Sequence, residues 1–116
     1  MVADNKTVST DKEVFLRGYG TSKSPILYIS SANGTAAAPT NLVNNEDIGS
    51  ISFTPRANNN FAWGTGTGIS AKYKGNGTTN LTDLSLKTSG TDRMKIDENG
   101  NVGIGTSTPD SKLHVA

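Results

Sequence analysis

The sequence predicts an all-β protein made of short antiparallel strands, and three observations predict it. Gly, Asn, Ser and Thr make up nearly half of the 116 residues, a mixture that favours turns and short strands over helices. In the second half of the chain apolar and polar side chains alternate, which is the period of half-buried strands. Large apolar residues are scarce, with one Trp, three Tyr and three Phe. One chain therefore lacks the core that offsets chain entropy, and we expect other chains to complete it.

The first half of the chain is irregular and precedes the alternating half. We assign residues 1–23 to an N-terminal leader or attachment segment and residues 24–116 to the β module. Two stretches, EVFLRGYG and SPILYISS, are rich in strand-forming residues and predict short strands broken by glycine and by Pro25. No stretch has a 3.6-residue apolar period, so no helix is predicted.

Six stretches of the second half read as strands with one apolar face. They are IGSISF, GISAKY, TDLSLKT, RMKID, NVGIGT and KLHV. In each of them apolar residues recur at every second position, starting at Ile51 in the first stretch, and small, polar or charged residues occupy the positions between. Such strands form a sheet whose apolar face must be covered.

The number of residues in the loop at DENGN can be deduced from the alternation of the two strands that flank it, a parity argument. A two-residue turn at Asn99–Gly100 would mix apolar and polar residues on one face, whereas a three-residue loop, Glu98–Gly100, pairs Ile96 with Val102. That loop type takes a left-handed residue at its third position, where Gly100 stands.

The same test predicts an odd loop, Ser89–Thr91, that pairs Leu86 with Met94. Residues 82–105 then form a three-stranded meander.

The stretch RMKIDENGNVGIGTSTPDSKLHV closely resembles a signature of bacteriophage tail fibres and appendages, located just before their self-cleaving intramolecular chaperone domain. The matching positions are Arg93–Asp97, Asn99–Thr106, Pro109 and Lys112–Val115. Upstream, ANGTAAAPTNLVNNEDIGSISF resembles the module that precedes this signature, so that the resemblance covers roughly residues 26–116. One departure is TPRANNNF, where the family has a Gly-Asp-Gly-Tyr type of turn.

The resemblance implies an elongated, homotrimeric fibre module whose apolar faces turn toward a shared axis. Ile96, Val102 and Ile104 would lie at or near that axis. The implied partners are further copies of the chain, other virion proteins and a host cell-surface glycan, and the implied location is the virion. The family also implies that the precursor continues beyond Ala116 into a chaperone domain that drives trimerisation.

Composition argues against several other classes of function. The formal net charge of +1 and the pI near 8.0 give no basic field for nucleic acid. No apolar run is long enough to cross a bilayer. With no Cys and with His114 as the single His, one chain holds neither a zinc site nor a Ser–His–Asp triad. DENGN lacks the Gly and Glu of a calcium loop. We therefore expect no enzyme activity, no cofactor and no bound metal.

A binding surface is the remaining candidate site. Arg56 and Asn58–Asn60 form a polar loop of the kind that carries recognition on a rigid scaffold, and Trp63 supplies an aromatic face that suits sugars. These residues give the alternative hypothesis, a dedicated receptor- or carbohydrate-binding module. A tailspike-type polysaccharide-degrading enzyme is a third hypothesis, although the chain offers no opposed pair of carboxylates for it.

Overall fold

A computed structural model of the chain describes residues 16–61 and 66–116. The predicted all-β class is confirmed, because every regular element in these ranges is a strand. Six strands form the main sheet: β3 (Asp47–Phe53), β6 (Thr67–Tyr73), β7 (Thr82–Thr88), β8 (Thr91–Ile96), β9 (Val102–Ile104) and β10 (Leu113–Val115). Two small hairpins lie outside it: β1 (Asn33–Gly34) with β2 (Pro39–Thr40), and β4 (Arg56–Ala57) with β5 (Asn60–Phe61).

The main sheet has the strand order β10-β9-β8-β7-β6-β3. Four of its five pairings are antiparallel, as predicted, and the fifth is not, because β10 runs parallel to β9. A parallel neighbour requires the chain to cross over the sheet. Residues 105–112 make this crossover between the two strands.

The observed registers place the alternating apolar residues of the six strands on one face, which confirms the predicted alternation. Ile48, at the irregularity in β3, has no place in this alternation. Ile51 lies opposite Ile69, Ile69 opposite Leu86, and Leu86 opposite Met94. The row continues into the last two strands, where Ile104 lies beside Val115.

The loop between β8 and β9 agrees with the parity argument. Ile96 pairs with Val102, and Gly100 has a φ of 75°, the left-handed conformation that a three-residue loop requires. The amide of Gly100 donates to the carbonyl of Asp97 at 2.9 Å, and the amide of Asp97 donates to the carbonyl of Asn101 at 2.9 Å.

The predicted three-residue loop Ser89–Thr91 is wrong. Thr88 pairs directly with Thr91, and the connection is a two-residue turn in which Ser89 and Gly90 both have positive φ. An irregularity in the pairing next to Leu86 then restores the expected partnership of Leu86 with Met94. A bulge adds one residue to a strand and changes parity as an odd loop does, so alternation alone does not separate the two.

The stretch SPILYISS is not a strand either, and residues 16–20 of EVFLRGYG form none. Ile26, Leu27 and Tyr28 are exposed, and Ile29 packs against the backbone of β3, where its Cγ2 takes the space that a side chain at Gly49 would need. Strand-forming side chains do not make a strand without a partner to accept the backbone hydrogen bonds.

Burial in the sheet is the reverse of that in an ordinary globular protein. Among the described residues Tyr73 is the one buried hydrophobic side chain, whereas Asp83 and Ser85 are 3% and 5% exposed. The crossover before β10 covers part of the polar face, and a Cβ added at Gly103 would lie only 2.6 Å from the carbonyl oxygen of Thr106. The chain thus covers much of its polar face and leaves most of its apolar face open, apart from Tyr73 at the end of β6 and the place above Gly49 that Ile29 occupies.

Candidate functional site

The main candidate site is the open side of the six-stranded sheet, which we call the apolar face. Its members are Ile51, Phe53, Ile69, Ala71, Leu84, Leu86, Met94, Ile96, Val102, Ile104, Leu113 and Val115. Nine of them are large hydrophobic side chains with exposed fractions between 37% and 63%. Together the twelve present on the order of 800 Å² of apolar surface, more than the largest patch on a typical monomer and about one side of a standard protein interface.

The three residues predicted to lie at a trimer axis are neighbours on this face. Ile96 and Val102 are direct cross-strand partners, and Ile104 follows on the same side of β9. Ile96 is 37% exposed and Ile104 42% exposed, so both are open to a partner. One chain brings the three side chains together.

The polar face carries a row of alternating charges across β3, β6, β7 and β8. Lys72 Nζ lies 2.8 Å from the Asp47 carboxylate, and Lys95 Nζ lies 2.7 Å from Asp83 Oδ2. Asp83 Oδ1 also accepts a hydrogen bond of 3.2 Å from the backbone amide of Lys72. The two pairs differ in burial, because the Asp47 side chain is 75% exposed and that of Asp83 only 1%. The buried pair is part of the fold and offers no free charge to a ligand.

The loop before β9 is organised by a carboxylate. Asp97 Oδ1 accepts hydrogen bonds from the amides of Asn101, at 2.8 Å, and Asn99, at 2.9 Å. The bond from the Asn101 amide is the largest of the effects that lower the pKa of Asp97 below its ordinary value of 3.8. Lys112 Nζ donates to the carbonyl of Asn99 at 3.0 Å and ties this loop to the start of β10. These contacts stabilise the turn that the sequence predicted.

The predicted recognition residues Arg56 and Asn58–Asn60 are brought together by the β4–β5 hairpin. Asn58 and Asn59 have φ values of 51° and 60°, which define a tight two-residue turn. The Arg56 guanidinium donates to the carbonyl of Asn59 at 3.2 Å, and Asn60 Oδ1 accepts from the amide of Phe61. All of these residues are exposed. The fifth predicted residue, Trp63, lies outside the described residues.

A groove of about 530 Å³ lies along β3 and β6. Ser50, Ser52 and Ser70 contribute hydroxyl groups to it, and Lys87 lies at its margin. The Lys87 ammonium is 3.3 Å from the Asp92 carboxylate, so it is already paired. Ile51 and Ile69 also line the groove, and its described residues form no nucleophile–base arrangement.

No protein-family model matches the chain, and no curated protein matches it with significant similarity. Within residues 16–61 and 66–116 no group of three or more His, Asp or Glu side chains is arranged to hold a metal ion. The same part of the chain contains no helix long and apolar enough to span a membrane.

Sequence reasoning missed two features of these surfaces. The first is the buried pair of Asp83 and Lys95, which lie diagonally on adjacent strands and whose pairing depends on a register that alternation does not reveal. The second is Phe61, the cross-strand partner of Arg56 and 46% exposed. The Asn-Asn dipeptide between Arg-Ala and Asn-Phe is the signal that a hairpin prediction would have used.

Proposed function

We propose that the chain is a structural module of a bacteriophage fibre or appendage that assembles as a homotrimer and supports host attachment. The observation that carries the proposal is the uncovered apolar face. A sheet that exposes nine large apolar side chains on one side, while burying Asp83 on the other, is half of an interface. The signature at residues 93–115 supports the fibre assignment, and copies of the same chain are the covering partner that it implies.

Assembly is tested by size measurements on the concentrated chain with one substitution on each face. Ile104→Asp places a carboxylate on the apolar face and is expected to abolish assembly, because burying several unpaired charges in one apolar layer is prohibitive. Ser107→Asp adds the same charge to an exposed position of the crossover, on the polar side of the sheet, and is the matched control, expected to assemble normally. Light scattering should give three chains for the unmodified protein and for the control. A folded species with the mass of one chain, in the unmodified protein, would refute the proposal.

The virion assignment needs its own experiment. Antibodies raised against the chain should label appendages of purified phage particles in electron micrographs. Particles that lack the chain by immunoblot would contradict a structural role in the virion, even if the chain were trimeric.

Recognition of a host glycan is a second candidate function, and the β4–β5 hairpin favours it. Its tight turn presents Arg56 and three consecutive Asn side chains in a fixed arrangement, which lowers the entropic cost of binding. Glycan-array binding that is lost in Arg56→Ala, with the trimer intact, would support this role. Equal binding by the variant would exclude Arg56 from it.

A further inference from the structure

The main sheet ends in two unused edges, β3 on one side and β10 on the other. Within the described residues no backbone hydrogen bond joins the outer edge of either strand to another strand. From these edges we infer that β10 of one copy pairs in parallel with β3 of the next copy, so that the sheets join edge to edge around the assembly. The inference rests on the proposed function, since it requires that copies of the chain assemble. The pairing of β10 with β3 supplies the backbone hydrogen bonds between those copies.

The free edge of β3 lacks the protection that soluble proteins give to such strands. Natural edges are short, charged, interrupted by proline or strongly bulged. β3 is seven residues long, with an irregularity between Asp47 and Gly49. From Gly49 to Phe53 it has neither a charged residue nor a proline. An edge of this kind, beside an exposed apolar face, is suited to another strand.

The directions of the two edge strands select the type of pairing. From β3 through β6, β7 and β8 to β9 each neighbour is antiparallel, and β10 is parallel to β9. β3 and β10 therefore point the same way. In a ring with its axis along the strands, β10 of one copy meets β3 of the next in parallel. Such a contact joins two different surfaces, which is the type that closes cyclic assemblies with more than two copies.

The side chains of the two edges select the register. On β10, Leu113 and Val115 lie on the apolar face and His114 on the polar face. Setting Leu113 beside Gly49 and Val115 beside Ile51 continues both faces without a break. In this register Leu113 would lie against Ile29, whose Cγ2 occupies the place of a side chain at Gly49.

Charge complementarity supports the same register. By residue count it brings Lys112, immediately before β10, beside Ile48, one position from Asp47, the first residue of β3. The Asp47 side chain is 75% exposed, so it can accept a second cation in addition to Lys72. A shift of two residues would keep the apolar faces aligned but separate these opposite charges.

Disulfide trapping tests this pairing. Because the chain contains no Cys, only the introduced thiols can form a disulfide. The diagnostic variant is Ser50→Cys with His114→Cys, because both residues lie on the polar side and would be neighbours across the contact. Within one chain the two strands are five spacings apart, about 24 Å in a flat sheet, far beyond the reach of a disulfide. Any bond between these two positions is therefore intermolecular.

Three matched variants control the experiment. Ser50→Cys with Ser70→Cys joins direct cross-strand partners within one chain and shows that a thiol at position 50 can be oxidised. Ser50→Cys alone and His114→Cys alone report the alternative pairings, β3 with β3 and β10 with β10, which would give a two-fold dimer. Folding of every variant is checked by circular dichroism, and its size by light scattering under reducing conditions.

The expected result is a covalent trimer on a non-reducing gel for the double variant and unlinked chains for both single variants. Disulfide-linked dimers of a single variant would overturn the inference. Trimers of the double variant that remain unlinked would overturn it as well, while leaving the proposed assembly intact. Monomers of the unmodified chain at high concentration would overturn both.

Discussion

Breaking the buried ion pair between Asp83 and Lys95 should destabilise the chain strongly. The perturbation is Lys95→Met, which keeps the length of the side chain and removes its charge. Lys95 Nζ lies 2.7 Å from Asp83 Oδ2, and the Asp83 side chain is 1% exposed. The remaining hydrogen bond to Oδ1, from the Lys72 amide at 3.2 Å, leaves the carboxylate without a counter-charge. Stranding one member of a buried pair costs about 3–5 kcal/mol. We expect about 3 kcal/mol, because the Lys95 side chain retains 14% exposure.

The assay is urea unfolding followed by far-ultraviolet circular dichroism at fixed protein concentration. Asp47 and Lys72 provide the matched control, since their 2.8 Å separation is nearly the same but both side chains are substantially exposed. Asp47→Asn should cost no more than about 1 kcal/mol, as for other exposed pairs. The double variant Asp83→Leu with Lys95→Met should recover most of the loss, because no unpaired charge remains. A cost below about 1 kcal/mol for Lys95→Met would show that Asp83 is solvated, and would refute the reasoning.

Three further predictions concern the loop and crossover around β9. Gly100→Val should cost about 1–2 kcal/mol in urea unfolding, because its φ is 75° and nothing lies within 4 Å of an added Cβ, so that the cost is backbone strain. Gly100→Asn should cost less than half of that, since Asn tolerates this conformation, and equal costs would argue against strain. Gly103→Ala should lower the free energy of unfolding by about 1–3 kcal/mol, because the added methyl group contacts the crossover. Gly66→Ala is the control and should be neutral, because nothing lies within 4 Å of its added Cβ. Equal thermal midpoints for the two variants would contradict the packing at Gly103. The lowered pKa of Asp97 means that its stabilisation is complete above pH 3.8, its value when unfolded, and is lost as the pH falls through the lower folded value. The stability difference between the chain and Asp97→Asn should therefore shrink in acid, and a difference that grew in acid would reverse the sign of the argument.

Local patterns in the sequence determined the strands of the second half and their faces. Alternation is a property of neighbouring residues, so the sides of Ile96 and Val102 follow from parity once a strand is assumed. The loop before β9 was equally predictable, because its length had to preserve that parity and Gly100 occupies the left-handed position. The same patterns indicated that one chain would leave an apolar face without a cover.

Tertiary structure decided the features that depend on distant partners. The stretch at residues 24–31 has strand-forming residues but pairs with no strand among the described residues, and the parallel direction of β10 follows from the crossover that returns it to β9. The turn at Ser89–Gly90 required a bulge, which changes parity as an odd loop does and is invisible to alternation. Asp83 is buried beside Lys95 of the next strand. Gly103 is buried beneath the crossover that connects β9 to β10. Alternation separates the two faces of a sheet, but only long-range contacts decide which face the chain itself covers.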